Sequence, residues 1–258
     1  MLGAIAGDVI GSIYEAAPIK TTDFPLFGAG ATFTDDTVCS VAIADALLQG
    51  RPFAEMLRAW VRRYPGRGYG GMFLRWALTP GMAPYGSWGN GAAMRVAAIG
   101  HLANDAAQLL ELAAASAAVS HDHSDAIAGA QAVALAIWLA RAGHERPAIR
   151  ARIAGRFGYD LGQTVEEIRA WYRFDISCKG TVPPAIVCAL EATDYEDAVR
   201  RAISLGGDSD TLACITGSIA EPLYGLPEDI AAETRRRLDP ELLAVVDRLY
   251  AKARDDVT

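Results

Sequence analysis

The chain has 258 residues, 52% hydrophobic and 21% charged, enough apolar surface for one large core or two small ones, which excludes a largely disordered protein. Its net charge of -7 supplies no basic footprint for a phosphate backbone or an anionic bilayer, so general nucleic-acid binding and membrane-surface binding are not expected. Cys39, Cys178, Cys188 and Cys214 form no CxxC pair and sit mostly in apolar runs, which suits reduced core thiols and a cytoplasmic protein.

Leu2 to Ala17 reads as a helix. Projected at about 100° per residue, Leu2, Ala6, Val9, Ile10 and Ile13 share one face, whereas Asp8, Gly11, Ser12 and Glu15 share the other. No signal peptide is expected, because Asp8 interrupts the opening run before a sizeable apolar segment forms. Gly3, Gly7 and Gly11 recur every fourth residue, at about 1 kcal/mol each in a helix interior. Two readings stand for them, close packing of a neighbouring helix and close approach of a ligand.

After an irregular stretch, Ile19 to Phe33, Thr34 is a natural N-cap for a helix that runs to Gly50, a natural stop. Helical patterns follow over Phe53–Tyr64, Met72–Leu78, Ala92–Gly100, Ala106–Val119, Asp125–Ala142 and Pro147–Phe157. The runs YPGRGYGG and TPGMAPYGSWGNG are loops by their Pro and Gly content. The apolar window Ala126–Ala140 contains Gln131 and is too short to span a bilayer. Further helices are predicted over Thr164–Tyr172, Pro184–Ala192, Tyr195–Leu205, Pro227–Arg237 and Pro240–Ala253, with a polar irregular loop over Arg173–Pro183. No alternating strand pattern, linker or repeat divides the chain, so one all-α domain over residues 1–258 is expected.

Two short stretches carry more acid than their local structure needs. TDDT, Thr34 to Thr37, and GGDSDT, Gly206 to Thr211, each place two aspartates at the start of an apolar helical run. A single acid there caps the helix and favours its dipole. Two matching turns supply four hard carboxylates, Asp35, Asp36, Asp208 and Asp210, with hydroxyls from Thr34 and Thr211, a donor set suited to magnesium, manganese or calcium rather than zinc. The twelve-residue calcium loop of an EF-hand is absent.

GNG, Gly89 to Gly91, before a helical pattern reads either as an ordinary capped turn or as a close backbone approach to a phosphate. SHDHSD, Ser120 to Asp125, holds His121 and His123 and contains an HD dipeptide, His121–Asp122, which raises metal phosphohydrolases of the HD type; the further upstream histidines of that pattern are missing. Tyr85, Trp88, Trp171, Tyr172 and Phe174 sit in or beside loops, where a ring packs either into the core or against a base.

Taken together, GDVIGSIYE, TDDT, GNGAAMR, the SH…H stretch, KGTVPPAI and GGDSDTLACITGSIAEPLYG resemble the ADP-ribosylglycohydrolase family, in the family's order and over nearly the whole chain. The resemblance implies a compact orthogonal bundle of ten or more helices with a binuclear site for Mg2+, or Mn2+, in a central cleft. It implies metal ligation by Thr34, Asp35, Asp36, Asp208, Asp210 and Thr211, and catalysis by Glu15 with Asp36. Ser87, Gly89, Asn90, Gly91 and His121 fall at substrate-contacting positions. The function implied is hydrolysis of the bond between ADP-ribose and a protein side chain, a nucleobase or a small conjugate; a non-catalytic ADP-ribose binder and an HD-type phosphohydrolase are the alternatives. ADP-ribose or an ADP-ribosylated substrate is the expected partner, and a monomer the default.

Overall fold

In the computed structural model, which describes residues 1–255, the first helix, Leu2–Gly11, lies directly against Ser209–Tyr224. The three glycines are the reason. A β-carbon at Gly3 would stand 2.6 Å from the Gly217 carbonyl oxygen, one at Gly7 2.0 Å from that of Ala213, and one at Gly11 2.5 Å from that of Ser209. The partners step back by four residues as the glycines step forward, so the helices run antiparallel with their backbones in contact. Of the two readings open in the sequence, close packing is the one observed. It brings the end of the first helix, carrying Asp8, to the start of the second, carrying Asp210.

Fourteen α-helices and no strand are found among the described residues. The first seven are α1 (Leu2–Gly11), α2 (Asp35–Gln49), α3 (Phe53–Arg63), α4 (Gly71–Leu78), α5 (Ala97–Leu102), α6 (Ala106–Ala118) and α7 (Ser124–Arg141). Then follow α8 (Arg146–Phe157), α9 (Val165–Trp171), α10 (Cys178–Glu191), α11 (Tyr195–Ile203), α12 (Ser209–Tyr224), α13 (Glu228–Arg236) and α14 (Pro240–Asp255). Helix starts follow side-chain capping: Asp105 accepts from two backbone N–H groups of α6, and Thr164 with Glu167 closes a reciprocal box on α9. Gly50 ends α2 in the left-handed conformation, φ 64°. α12 touches α1, α7, α10 and α11 and is buried from Ser209 to Ala220, the centre of one continuous apolar core. Among the described residues all four cysteines are free and buried, and no helix is long and apolar enough to cross a membrane.

Three elements depart from the sequence reading. α1 stops at Gly11, not Ala17: Ser12 turns its hydroxyl back to the Val9 carbonyl at 2.9 Å, and Tyr14 leaves the helical path to pack edge-on against Phe24 at 4.9 Å. Glu15 therefore sits on a turn, not two helical turns above Asp8. α10 begins at Cys178 rather than Pro184. Ser177 caps it, accepting from Gly180 N–H at 2.9 Å, and Pro183 and Pro184 lie inside it; proline removes an N–H donor and so reads as a break, but here the lost bonds fall in the first turns while α7 and α12 pack the rest. Instead of one helix over Ala92–Gly100, a 3-10 turn, Asn90–Ala92, precedes α5, because Asn90 N–H is drawn to the Ile176 carbonyl at 2.8 Å.

Candidate active site

Asp8 organises the first acidic turn. Its carboxylate, fully buried on α1, accepts from Thr34 N–H at 3.0 Å, Thr34 Oγ1 at 2.7 Å, Thr37 N–H at 3.1 Å and the Thr37 hydroxyl. Thr34 Oγ1 in turn accepts from Asp36 N–H at 3.3 Å. The capping threonine is thus itself held, and the direction in which Asp35 and Asp36 leave the backbone follows from Asp8.

The glycines of the second turn have separate tasks. Gly206 adopts φ 64°, where side chains are disfavoured, and a β-carbon there would stand 2.8 Å from the Ile19 carbonyl oxygen. Gly207 makes room for the Tyr172 ring, whose edge a β-carbon would approach to 2.6 Å. Beyond them Thr211 Oγ1 donates to Asp36 Oδ2 at 3.1 Å, a direct bond between turns far apart in the chain.

Two sets of carboxylate oxygens result, each within 4.8 Å of one another: Asp8, Asp36 and Asp210, and Glu15, Asp208 and Asp210. Asp210 belongs to both. Burial first, and then neighbouring carboxylates, push Asp36 and Asp210 well above the usual carboxylate range and Asp35 up to about 8; among the described residues no Lys or Arg forms an ion pair with any of the three. Asp36 Oδ1 is buried without a hydrogen-bond partner, in a structure where most buried polar atoms are paired. Hard oxygen donors, crowded negative charge and an orphaned carboxylate oxygen fit a divalent cation.

The acids open into a cleft of about 580 Å³, within the range of small-molecule sites. Glu15, Thr34, Asp35 and Asp36 line it, as do Asp208, Asp210 and Thr211. So do Ser87, Gly89, Asn90, Gly91 and His121. The link between these groups is Asn90, whose Nδ2 donates to Asp208 Oδ2 at 2.7 Å. The Gly89–Gly91 turn is pinned from behind by Asn90 N–H on Ile176 O and Cys178 N–H on Trp88 O at 3.0 Å.

Residues 1–257 match the ADP-ribosylglycohydrolase family. The chain belongs to that family. ADP-ribosylhydrolase ARH3 of Homo sapiens is 27% identical over 308 residues, covering 88% of this chain and 85% of the human protein. ADP-ribosylarginine hydrolase Tri1 of Pseudomonas putida (strain GB-1) is 25% identical, covering 88% of this chain and 70% of its own. A solved ADP-ribosylglycohydrolase-related protein complex shares the fold with TM-score 0.71 at 24% identity, covering 98% of this chain and 97% of the other.

Within this ADP-ribosylglycohydrolase cleft some sequence expectations need adjusting. The Gly89–Gly91 turn is not a row of free amides, since Gly89 N–H bonds Ser87 Oγ at 3.2 Å and Asn90 N–H is taken by Ile176. His121 reaches the cleft, but Asp122 lies apart and accepts from Gly86 N–H at 2.6 Å, while the exposed His123 caps α7. Among the described residues no histidine joins a cluster of three metal-binding side chains, so the HD dipeptide builds no centre. Trp88 and Tyr85 line the cleft; Trp171, Tyr172 and Phe174 do not. Sequence reasoning missed Asp8 as a site residue, although it lay on the polar strip with Glu15. It also missed Arg95, which lines the cleft fully buried and is hidden in the sequence by apolar neighbours.

Proposed function

We propose that this protein is a divalent-metal-dependent hydrolase that cleaves the glycosidic bond joining ADP-ribose to a modified target and releases ADP-ribose. The observation that carries the reading is the Asn90–Asp208 contact, which joins the acid cluster to the Gly89–Gly91 turn within one cleft. A ligand that fills the cleft meets oxygen-rich acid at one part and glycine, imidazole and indole at the other, as a ribose carrying a diphosphate and a purine requires. Membership of the family and the likeness to ARH3 and Tri1 support the same chemistry.

The orphaned Asp36 Oδ1 and the two carboxylate sets sharing Asp210 fit a pair of cations, magnesium or manganese; to Asp36, Asp208 and Asp210 we add as ligands Thr34, Asp35 and Thr211, which stand outside both sets but line the same cleft. Bound there, the pair would supply positive charge that offsets the carboxylates and Lewis-acid attraction for the hydroxyls of a ribose. The chain's own residues do the rest. Ser87, Gly91 and His121 orient the diphosphate, and Trp88, 47% exposed, offers a ring face to the adenine. Bond breaking at the anomeric carbon develops oxocarbenium character, which the surrounding carboxylates stabilise. Glu15, on its exposed turn at the rim, carries the proton between water and the leaving group; desolvation and then the charges of Asp208 and Asp8 raise its carboxyl above the usual range.

The test is an ADP-ribose release assay over arginine-, serine- and nucleobase-linked substrates, with Mg2+ and with chelator. Release from at least one linkage, lost with chelator and in Asp36→Ala and Asp208→Ala, is expected. Unchanged turnover in either variant overturns the metal assignment, and ADP-ribose binding without release from any linkage overturns hydrolysis.

A further inference from the structure

His121 is backed by a chain of buried hydrogen bonds that reaches a cation. Its Nδ1 lies 2.8 Å from Ser120 Oγ, and Ser120 Oγ lies 3.1 Å from Arg95 Nη2, which also donates to the Ser116 carbonyl at 2.7 Å. Arg95 and Ser120 are both fully buried. A guanidinium stays protonated and has no acceptor, so the Ser120 oxygen accepts from Arg95. The hydroxyl keeps one proton of its own, and His121 Nδ1 is the acceptor it faces; a buried hydroxyl left undonated would be costly. Nδ1 therefore carries a lone pair, and the neutral ring bears its proton on Nε2. That nitrogen faces the glycine turn: a β-carbon on Gly91 would stand 3.1 Å from it and one on Gly89 3.6 Å.

We propose that Arg95 and Ser120 are positioning residues that lock His121 as its Nε2–H tautomer, a permanent hydrogen-bond donor toward the anionic part of the ligand beside Gly89–Gly91. The reversed tautomer would present a lone pair to an anionic oxygen, which repels it. Burial and the nearby Arg95 charge also keep the ring neutral, well below the usual histidine range, so His121 donates without exchanging its proton, and proton transfer is left to the carboxylates. The ligand's identity rests on the ADP-ribose reading; the tautomer does not.

The experiment is a long-range 1H–15N correlation spectrum of 15N-histidine protein, free of ligand and metal, near neutral pH. Four histidines are present, and His121→Gln identifies the signal. Expected are a protonated Nε2 and an unprotonated Nδ1 for His121, and in Ser120→Ala a mixture of tautomers. ADP-ribose should bind Ser120→Ala about tenfold more weakly, with Mg2+ affinity unchanged and binding recovered in Ser120→Thr; a tenfold loss matches one weakened hydrogen bond. A protonated Nδ1 in the wild-type spectrum overturns the lock, whatever the protein binds. An unprotonated Nδ1 with equal ADP-ribose affinity in Ser120→Ala overturns the positioning role. Failure of ADP-ribose to bind the wild type overturns the ligand reading instead, and the spectrum still decides the lock.

Discussion

Asn90 donates from one side-chain nitrogen to both Asp208 Oδ2, at 2.7 Å, and Thr181 Oγ1, at 3.2 Å. It thereby ties the glycine turn to the start of α12 and to α10. With Asp208 as the proposed metal ligand, Asn90 is its outer-shell partner, and loss of such partners lowers metal affinity by roughly 10–100-fold. Asn90→Ala should therefore weaken Mg2+ binding within that range, read by calorimetric titration, and raise the KM for ADP-ribosylated substrate as well. A variant that alters KM alone would separate the turn from the acid cluster.

Asp8 makes a different prediction, because its role is to hold backbone. Asparagine in its place offers one acceptor oxygen, and with that oxygen at the Oδ2 position its NH2 group meets the Thr34 hydroxyl, which donates to Oδ1 of the aspartate. Three of the four hydrogen bonds go to Oδ2 and one to Oδ1, so at least one is lost in Asp8→Asn and the rest are weakened by loss of the charge; a bond to a charged group contributes about 1.5–3 kcal/mol. A loss of roughly 1.5–3 kcal/mol in urea unfolding is expected, with Mg2+ affinity falling in parallel as the first acidic turn loosens. Unchanged Mg2+ affinity in folded Asp8→Asn would show that Asp36 keeps its direction without the clasp.

These two residues also mark how far the sequence could be read. TDDT and GGDSDT were legible because two acids before an apolar helical run exceed what a cap requires, and the all-α character was legible from periodicity. Asp8 was in view as a polar position on α1, but its partners lie across a fold boundary that periodicity does not encode. Arg95 was masked by an apolar run, and the groups it bonds, the Ser116 carbonyl in α6 and the Ser120 hydroxyl just after it, lie 21 and 25 residues further along the chain. Glu15 was placed on a helix that in fact ends at Gly11, because the break is made by Tyr14 finding Phe24, a tertiary contact. The start of α10 was hidden by two prolines whose local preference is outweighed by packing.

The carboxylate cluster predicts a pH dependence with a definite sign. The Asp35 carboxyl, pushed up to about 8 from an ordinary value of 3.8, binds protons in the folded metal-free protein that the unfolded chain has already released, and Asp36 and Asp210 shift the same way. Stability of the metal-free protein therefore falls as pH rises from about 4 toward about 8. Cations compete with those protons, so Mg2+ affinity rises over the same window. At a hundredfold excess over Kd the cation contributes about 2.7 kcal/mol. Thermal unfolding should show a larger Mg2+-induced rise in Tm at about pH 8 than at about pH 5.5. A rise independent of pH would place the cation away from the acid cluster.

The glycine stripe gives a prediction with an internal control. A β-carbon at Gly7 would stand 2.0 Å from the Ala213 carbonyl oxygen and 2.9 Å from Cys214 N, both backbone atoms. Neither can swing aside, so Gly7→Ala must force α1 and α12 apart, at a cost of about 3 kcal/mol or more. The separation moves Asp8 from Asp210, and Mg2+ affinity should fall with stability. Gly155, exposed within α8, has no atom within 4 Å of a β-carbon. There alanine only removes conformational freedom from the unfolded chain and a poor helix former from a helix, so Gly155→Ala should stabilise by about 0.5–1 kcal/mol and leave Mg2+ affinity unchanged. Equal effects at the two positions, measured by urea unfolding, would mean that helix propensity rather than backbone contact explains the stripe.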